Sequence, residues 1–250
     1  MEGMDMSVKD KPYAENKISR KELFEGAGKL VAGTALVSLA GLGLGSCTKK
    51  SAPKYPWPYA KLDPKKCGDL AYENWYKKFC CYAVASAILL PLKEKVGEPY
   101  SMLPVEAFKF GHGGTVGWGT LCGSLLGASI AVSFIAGEEG EDIINDIIGW
   151  YTETEFPIYK PAVPKVDLKN ISVSNSPLCH ASVGKWMSKE GVEFFSPGRS
   201  ERCARLSADV AIHTATLLNL WADNKYEAEY DDQPMKHGLP SQNDCEDCHT

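Results

Sequence analysis

Nine cysteines are spread through this 250-residue chain, and they stand in three different surroundings. Cys245 and Cys248 lie at the C-terminal end, Cys47 closes an uncharged run, and Cys67, Cys80, Cys81, Cys122, Cys179 and Cys203 are scattered through the body. The terminal pair is the most restrictive feature of the sequence. Cys245-Glu-Asp-Cys248-His249 has the CxxCH spacing at which a c-type haem is attached. Two thiols add to the two vinyl groups of haem, and the adjacent imidazole reaches the iron as proximal ligand. CxxC alone also fits a zinc site or a redox dithiol; the histidine that follows favours haem. The motif stands one residue from the end of the sequence, so the haem has to be covered by the body of the chain or by a second subunit.

The N-terminal region reads as an address. Residues 1–29 hold six basic and six acidic side chains, and Leu30–Gly45 is then uncharged and rich in Gly, Ala and Leu. Sixteen residues are short for a membrane span, which needs about 20, and suit the apolar region of an export signal. Ser19-Arg20-Lys21-Glu22-Leu23-Phe24 before it resembles a twin-arginine motif with Lys in the second position. Leu44-Gly45-Ser46-Cys47 resembles a lipobox, in which Cys47 is lipidated. Residues 1–46 are thus expected as an export signal and 47–66, with four prolines, as a tether. The expected location is periplasmic or anchored on the outer face of the cytoplasmic membrane. Twin-arginine export carries folded cargo, and thioether formation to haem takes place outside the cytoplasm, so address and motif agree.

From Cys67 onward the apolar residues recur at helical spacing. Leu70, Trp75, Phe79, Tyr82, Ala83, Ala87 and Leu90 are expected on one side of a helix over 67–96, which Pro91 kinks or ends. Ser101 and Pro104 read as the start of a second helix that stops at Gly111-His112-Gly113-Gly114. Trp118–Ala136 reads as a buried helix in which Gly123 and Gly127 allow close contact. Further helices are expected at 141–151, 177–189 and 197–221, the last capped by Ser196, with 157–170 as an extended crossing loop. The expected fold class is all-α: a helical bundle over 67–221 with a less regular haem-binding tail over 222–250.

Cys80, Cys122, Cys179 and Cys203 each stand at the head of a separate helical segment. Four thiolates converging from four helices could hold an iron–sulfur cluster. Spacing leaves this open beside buried structural cysteine and a disulfide pair. Among the histidines, His237 lies in a polar tail with no apolar periodicity and is the favoured second haem ligand, with His112 as the alternative and Met235 weaker. His213, one turn after Asp209, reads as a structural hydrogen-bonding residue. Arg202 and Arg205 could offset thiolates, although a solvated face or pairing with Glu201 and Asp209 is the commoner role. The acidic stretch Glu227–Asp232 reads as a linker or a docking site for a basic partner.

The stretch Phe79–Ala136 resembles the C-GCAxxG-C-C family of redox-active proteins. The matching residues are Cys80-x-x-Ala83-Val84, Phe110-Gly-His-Gly-Gly114 and Gly119-Thr-Leu-Cys122-Gly-Ser-Leu-Leu-Gly127, with Cys179 and Cys203 filling the last two cysteine positions. Ser124 and His112 depart mildly from the pattern. Together with CxxCH and an export signal, the sequence is similar to the split-Soret cytochromes c. That resemblance implies a homodimer, bis-histidine haem ligation with a histidine from the partner subunit, and an iron–sulfur cluster, expected as [2Fe–2S], on Cys80, Cys122, Cys179 and Cys203. It also implies one or two haems per chain. The sequence has one full CxxCH, and Ser176-Pro-Leu-Cys179-His180 keeps only its second half, which leaves Cys179 open to either cofactor.

The function expected from this is electron transfer rather than bond chemistry, with an unidentified redox partner protein. The runner-up is an exported thiol–disulfide or metal-binding protein without haem. Lys+Arg 27 against Asp+Glu 32 gives a net charge of −5, so no nucleic-acid partner is expected. No serine triad, phosphate-binding loop or HExxH motif is present.

Overall fold

A computed structural model describes residues 53–230. The segment expected as an export signal, Cys47, His237, Cys245, Cys248 and His249 lie outside them. Among the described residues five α-helices carry the fold: α1 Pro64–Val96, α2 Gly123–Ala136, α3 Gly140–Glu153, α4 Cys179–Glu190 and α5 Pro197–Ala222. Two-residue strands, β1 Glu155–Phe156 and β2 Ser172–Val173, pair antiparallel with Glu155 opposite Val173. They close the base of the long loop expected at 157–170. Among the described residues no helix is long and apolar enough to cross a membrane.

Helix α1 starts where Asp63 accepts hydrogen bonds from the amides of Lys65 and Lys66, with Pro64 in the first turn; such a cap is worth about 1 kcal/mol. The helix does not end or break at Pro91. It continues to Val96, and buried Ile88, Leu89 and Leu92 flank the proline. Each contributes about 1.5–3 kcal/mol, which outweighs the roughly 3 kcal/mol cost of an internal proline. The break lies instead at Lys78 and Phe79, whose backbone angles are not helical. This resets the phase of the helix, so the single stripe expected from Leu70 to Leu90 does not persist. Leu70 and Phe79 are exposed, whereas the run from Cys81 to Leu89 is buried on every side.

That buried half of α1 is the axis of the molecule. Helix α5 lies along it, and α2 packs closely through the two glycines expected to permit it: a Cβ on Gly127 would come 2.5 Å from the Cys81 carbonyl oxygen. Leu125, Val132 and Ile135 of α2, Ile143, Ile147 and Tyr151 of α3, and Leu206, Val210 and Leu218 of α5 complete the core. Helix α5 is capped as expected, Ser196 Oγ accepting from the Arg199 amide at 3.2 Å.

Between α1 and α2 the chain departs from the expected α-helix. It forms two 3-10 turns, Tyr100–Met102 and Val105–Gly111, with Pro104 as the residue preceding the second and no side-chain cap. A proline and a glycine seven residues apart leave too little chain for a cooperative α-helix. Trp118 to Cys122 is loop, and Trp118 is exposed. The extended residues 53–63 lie along the bundle, Trp57 stacking on Phe134 at 4.4 Å and Tyr59 donating to Asn219 Oδ1. At the other end, Tyr226–Tyr230 is fastened to α3: the Tyr226 hydroxyl and the Glu229 and Tyr230 amides all donate to Asp146. This part of the acidic stretch is therefore not a free linker.

Candidate metal centre

Three of the four singled-out cysteines begin a helix. Cys80 is the first residue after the break in α1, Cys122 is the N-cap residue of α2, and Cys179 is the first residue of α4. Helix starts present unpaired amides and the positive end of the macrodipole, which favour a thiolate. Cys203 lies in the second turn of α5 rather than at its head. The break that places Cys80 is strained: Phe79 has φ 66° and ψ −170°, a region nearly reserved for glycine, and such a residue costs about 1–3 kcal/mol.

Backbone pairing binds two of these segments together. Leu121 and Leu178 form an antiparallel bridge, with the Cys122 amide donating to Pro177 O at 2.9 Å and the Cys179 amide to Thr120 O at 2.7 Å. The loop from Gly111 to Gly119 folds over this pair. Gly114, at φ 66°, sits so close that a Cβ would meet the Cys179 Cβ at 2.9 Å and the Thr120 amide nitrogen at 2.5 Å. Gly123 has the same role beside Cys80: its Cβ would fall 2.4 Å from the Cys80 sulfur. The glycines that mark the sequence motif thus let the backbone close around the sulfurs.

A cavity of about 270 Å³ opens here, lined by Cys80, Cys179 and Cys203 together with Trp75, Phe79 and His112. Cys122 is buried and interacts electrostatically with Cys80 and Cys179. Burial first, and then the neighbouring Cys122, holds the Cys80 thiol well above its ordinary pKa; Cys179 is raised by burial, Cys122 and Cys203. Cys80 and Cys179, whose thiols resist ionisation, stand with Cys122 and Cys203 in a group to which a bound cation would supply the missing charge, since coordination deprotonates a thiol outright. Among the described residues no three His, Cys, Asp or Glu side chains are gathered to hold one metal ion. Four cysteine sulfurs are the donor set that an iron–sulfur cluster would take, spread over more than one iron atom.

Arg202 provides an independent test of fit. The residue is fully buried in α5. Its Nη2 donates to Ser182 Oγ at 2.8 Å, while its Nε and Nη1 hydrogens have no hydrogen-bond partner. The Tyr151 hydroxyl donates to the same Ser182 oxygen at 2.8 Å. Burial opposes the Arg202 charge, but Cys203, Tyr151 and Cys122 outweigh it and its pKa lies above the ordinary value. A buried cation with two orphaned donors, on whose charge the Cys203 and Cys122 sulfurs act, matches a site built for an anionic centre. Arg205, by contrast, pairs with Glu201 one turn earlier, at 2.7 Å. Tyr151 and Ser182 were not singled out in the sequence. The available signal was Tyr151 falling on the apolar stripe Ile143–Ile147–Tyr151 of α3, where a polar tip has to find a partner.

The remaining residues separate cleanly. Cys67 and Cys81 are buried free thiols, each pushed up to about 12 by desolvation, and neither lines the cavity. His112 does line it, its ring 5.5 Å from that of Phe79. His180 is exposed, with Nδ1 at 2.9 Å from Gly119 O. His213 stacks on Trp150 at 4.0 Å, and Asp209 accepts instead from the Ile158 and Tyr159 amides. The expected Asp209–His213 partnership is therefore replaced by a cap on the crossing loop, whose two amides would otherwise be unpaired.

Residues 79–217 match the family described as "Putative redox-active protein (C_GCAxxG_C_C)". The chain is 34% identical over 254 aligned residues to split-Soret cytochrome c of Desulfovibrio desulfuricans, the match spanning 93% of this chain and 87% of the relative. A solved structure of split-Soret cytochrome c from that species, described as containing a novel iron centre, superposes with a TM-score of 0.68 at 35% identity, over 74% of this chain and 80% of that one. The mostly helical architecture is thus shared with a known protein. The chain belongs to the C_GCAxxG_C_C family of redox-active proteins and is a homologue of split-Soret cytochrome c.

Proposed function

We propose that this protein is an exported electron carrier. In this reading Cys245 and Cys248 bind a c-type haem with His249 as proximal ligand, and Cys80, Cys122, Cys179 and Cys203 hold an iron–sulfur cluster of the [2Fe–2S] type. The observation that carries it is the meeting of those cysteines, drawn from four segments, beside the buried Arg202 with its two orphaned donors. The iron centre of the related split-Soret cytochrome supports an iron cofactor here. When bound, the two groups supply one-electron redox chemistry.

The chain's own residues would then act as scaffold and surroundings. The helix starts at Cys80 and Cys179 bring their thiols to the cavity wall, with Cys122, at the start of α2, buried beside them. Trp75, Phe79 and Val183 line its wall and limit water. Cys179 faces Cys80 and Cys203, which favours a cluster role for it and leaves one full haem motif per chain. His112 belongs to the same wall, which favours His237 over it as the second haem ligand. Six-coordinate haem iron would leave no open position for a substrate, in keeping with a carrier rather than an enzyme. The working form is a homodimer in the periplasm or on the outer face of the cytoplasmic membrane, held there by a lipid on Cys47.

The test is to produce the chain with its own N-terminal region in a host competent for haem c maturation. A pyridine haemochrome assay is run alongside iron and acid-labile sulfide per chain. One covalent haem together with labile sulfide is expected, and Cys245→Ser with Cys248→Ser removes the haem while leaving the sulfide. Absence of covalent haem, with freely titrating thiols, would sink this reading in favour of a thiol–disulfide protein.

A further inference from the structure

We infer that Arg202 is the countercharge of the four-cysteine centre, a positioning residue whose buried guanidinium favours the reduced, more negative form of the bound cluster. The inference rests on the cluster reading above and goes beyond it by assigning what sets the centre's potential.

The argument begins with what Arg202 lacks. A buried guanidinium has five N–H donors to satisfy, and leaving such a charge without a counterion is strongly unfavourable. Here one nitrogen, Nη2, is anchored on Ser182 Oγ, which also receives the Tyr151 hydroxyl. Nε and Nη1 are left without partners. No carboxylate takes them up. Glu201, the neighbouring acid, is already occupied by Arg205 and by the hydroxyls of Tyr72 and Tyr76. Asp209 is held by the Ile158 and Tyr159 amides, although its charge also acts on Arg202. The groups that dominate the electrostatics of Arg202 are the Cys203 sulfur, the Tyr151 hydroxyl and the Cys122 sulfur.

Reduction adds one electron and one negative charge to a thiolate-bound cluster, with the electron supplied by a reducing protein or, in the test, by dithionite. A fixed cation in a site shut off from water is weakly screened, so it stabilises that added charge. Hydrogen bonds to the sulfurs act in the same direction. Arg199 supplies the contrast. It lines the same cavity, but its Nε donates to the Phe194 carbonyl at 2.7 Å and its guanidinium lies 4.4 Å from the Phe194 ring centre, partly open to solvent.

The experiment compares wild type, Arg202→Met, Arg202→Lys and Arg199→Gln in two states. In the cluster-free protein, Arg202→Met replaces a buried, half-satisfied cation by an apolar chain of similar length. It is expected to resist urea as well as wild type or better. In the loaded protein, the same variant is expected to shift the reduced-to-oxidised ratio of the centre at least tenfold toward oxidised, about 59 mV lower for a one-electron couple. Arg202→Lys, which keeps the charge, and Arg199→Gln, which loses a screened one, are expected to move it much less. Loss of labile sulfide from an Arg202→Met protein of normal helix content supports the inference too. An unchanged potential in Arg202→Met overturns it, as does a cluster-free Arg202→Met protein that cannot fold, since Arg202 would then serve the fold. Wild-type protein without labile sulfide defeats the parent reading instead, before any variant is made.

Discussion

The Cys80 sulfur rests against the α-carbon of Gly123, so closely that a Cβ there would come within 2.4 Å of it and 2.3 Å of the Gly111 carbonyl oxygen. Neither neighbour is a flexible side-chain end. Gly123→Ala is therefore expected to destabilise the fold by about 1–3 kcal/mol, the usual range for overpacking, and to lower iron retention. Gly184, exposed in α4, is the control: a Cβ there meets nothing. Gly184→Ala is expected to raise stability by about 0.5–1 kcal/mol. Urea unfolding of the two variants checks both signs.

Phe79 predicts an inverted ranking. Helix propensity alone puts Gly about 1 kcal/mol below Ala, but at φ 66° the side chain is the liability. Phe79→Gly is expected to be more stable than Phe79→Ala by about 1 kcal/mol. Both variants lose the edge contact with Trp75, 5.6 Å between ring centres, so the difference isolates the backbone term. Equal stability, or Ala above Gly, would show the break at Lys78–Phe79 to be unstrained.

Asp209 and His213 predict opposing pH dependences. Burial pushes the Asp209 carboxyl from 3.8 up to about 7, against the pull of the two amides and of Arg202 and Arg205. It binds more protons folded than unfolded in that window, so its contribution is full below the lower value and is lost as pH rises to the upper. Burial lowers His213 from 6.5 to about 4. It binds fewer protons when folded, so its contribution is present above 6.5 and lost as pH falls toward 4. His213→Phe is expected to leave a stability that declines as pH rises through the shared window. Asp209→Asn is expected to leave one that climbs. Urea midpoints across the window decide, and parallel profiles in the two variants would contradict the assignment.

Much of the helical frame could be read from local pattern. Ser196 before Pro197, the acidic start of α3 and the paired glycines of α2 each act within a few residues of themselves. The break at Lys78–Phe79 could not, because neither residue type demands it; it belongs to the tertiary arrangement that sets Cys80 beside Cys122 and Cys179. Pro91 failed as a boundary for the converse reason, since buried neighbours outweigh its local cost. For the site, CxxCH was legible from spacing and lies outside the described residues, whereas convergence of the body cysteines is a tertiary fact that only the family resemblance anticipated. Arg202 sat in view next to Cys203, but its burial depends on α3 and α4 closing over it through Tyr151 and Ser182.

The central claim is that four particular cysteines, and not the other two of the body, hold an iron–sulfur cluster. It is tested most directly by iron and acid-labile sulfide per chain in six single variants. Cys80→Ser, Cys122→Ser, Cys179→Ser and Cys203→Ser are each expected to lose the labile sulfide while keeping covalent haem. Cys67→Ala and Cys81→Ala, at buried thiols away from the cavity, are expected to keep both. Labile sulfide that survives in any of the first four, or vanishes only in the last two, would contradict the account.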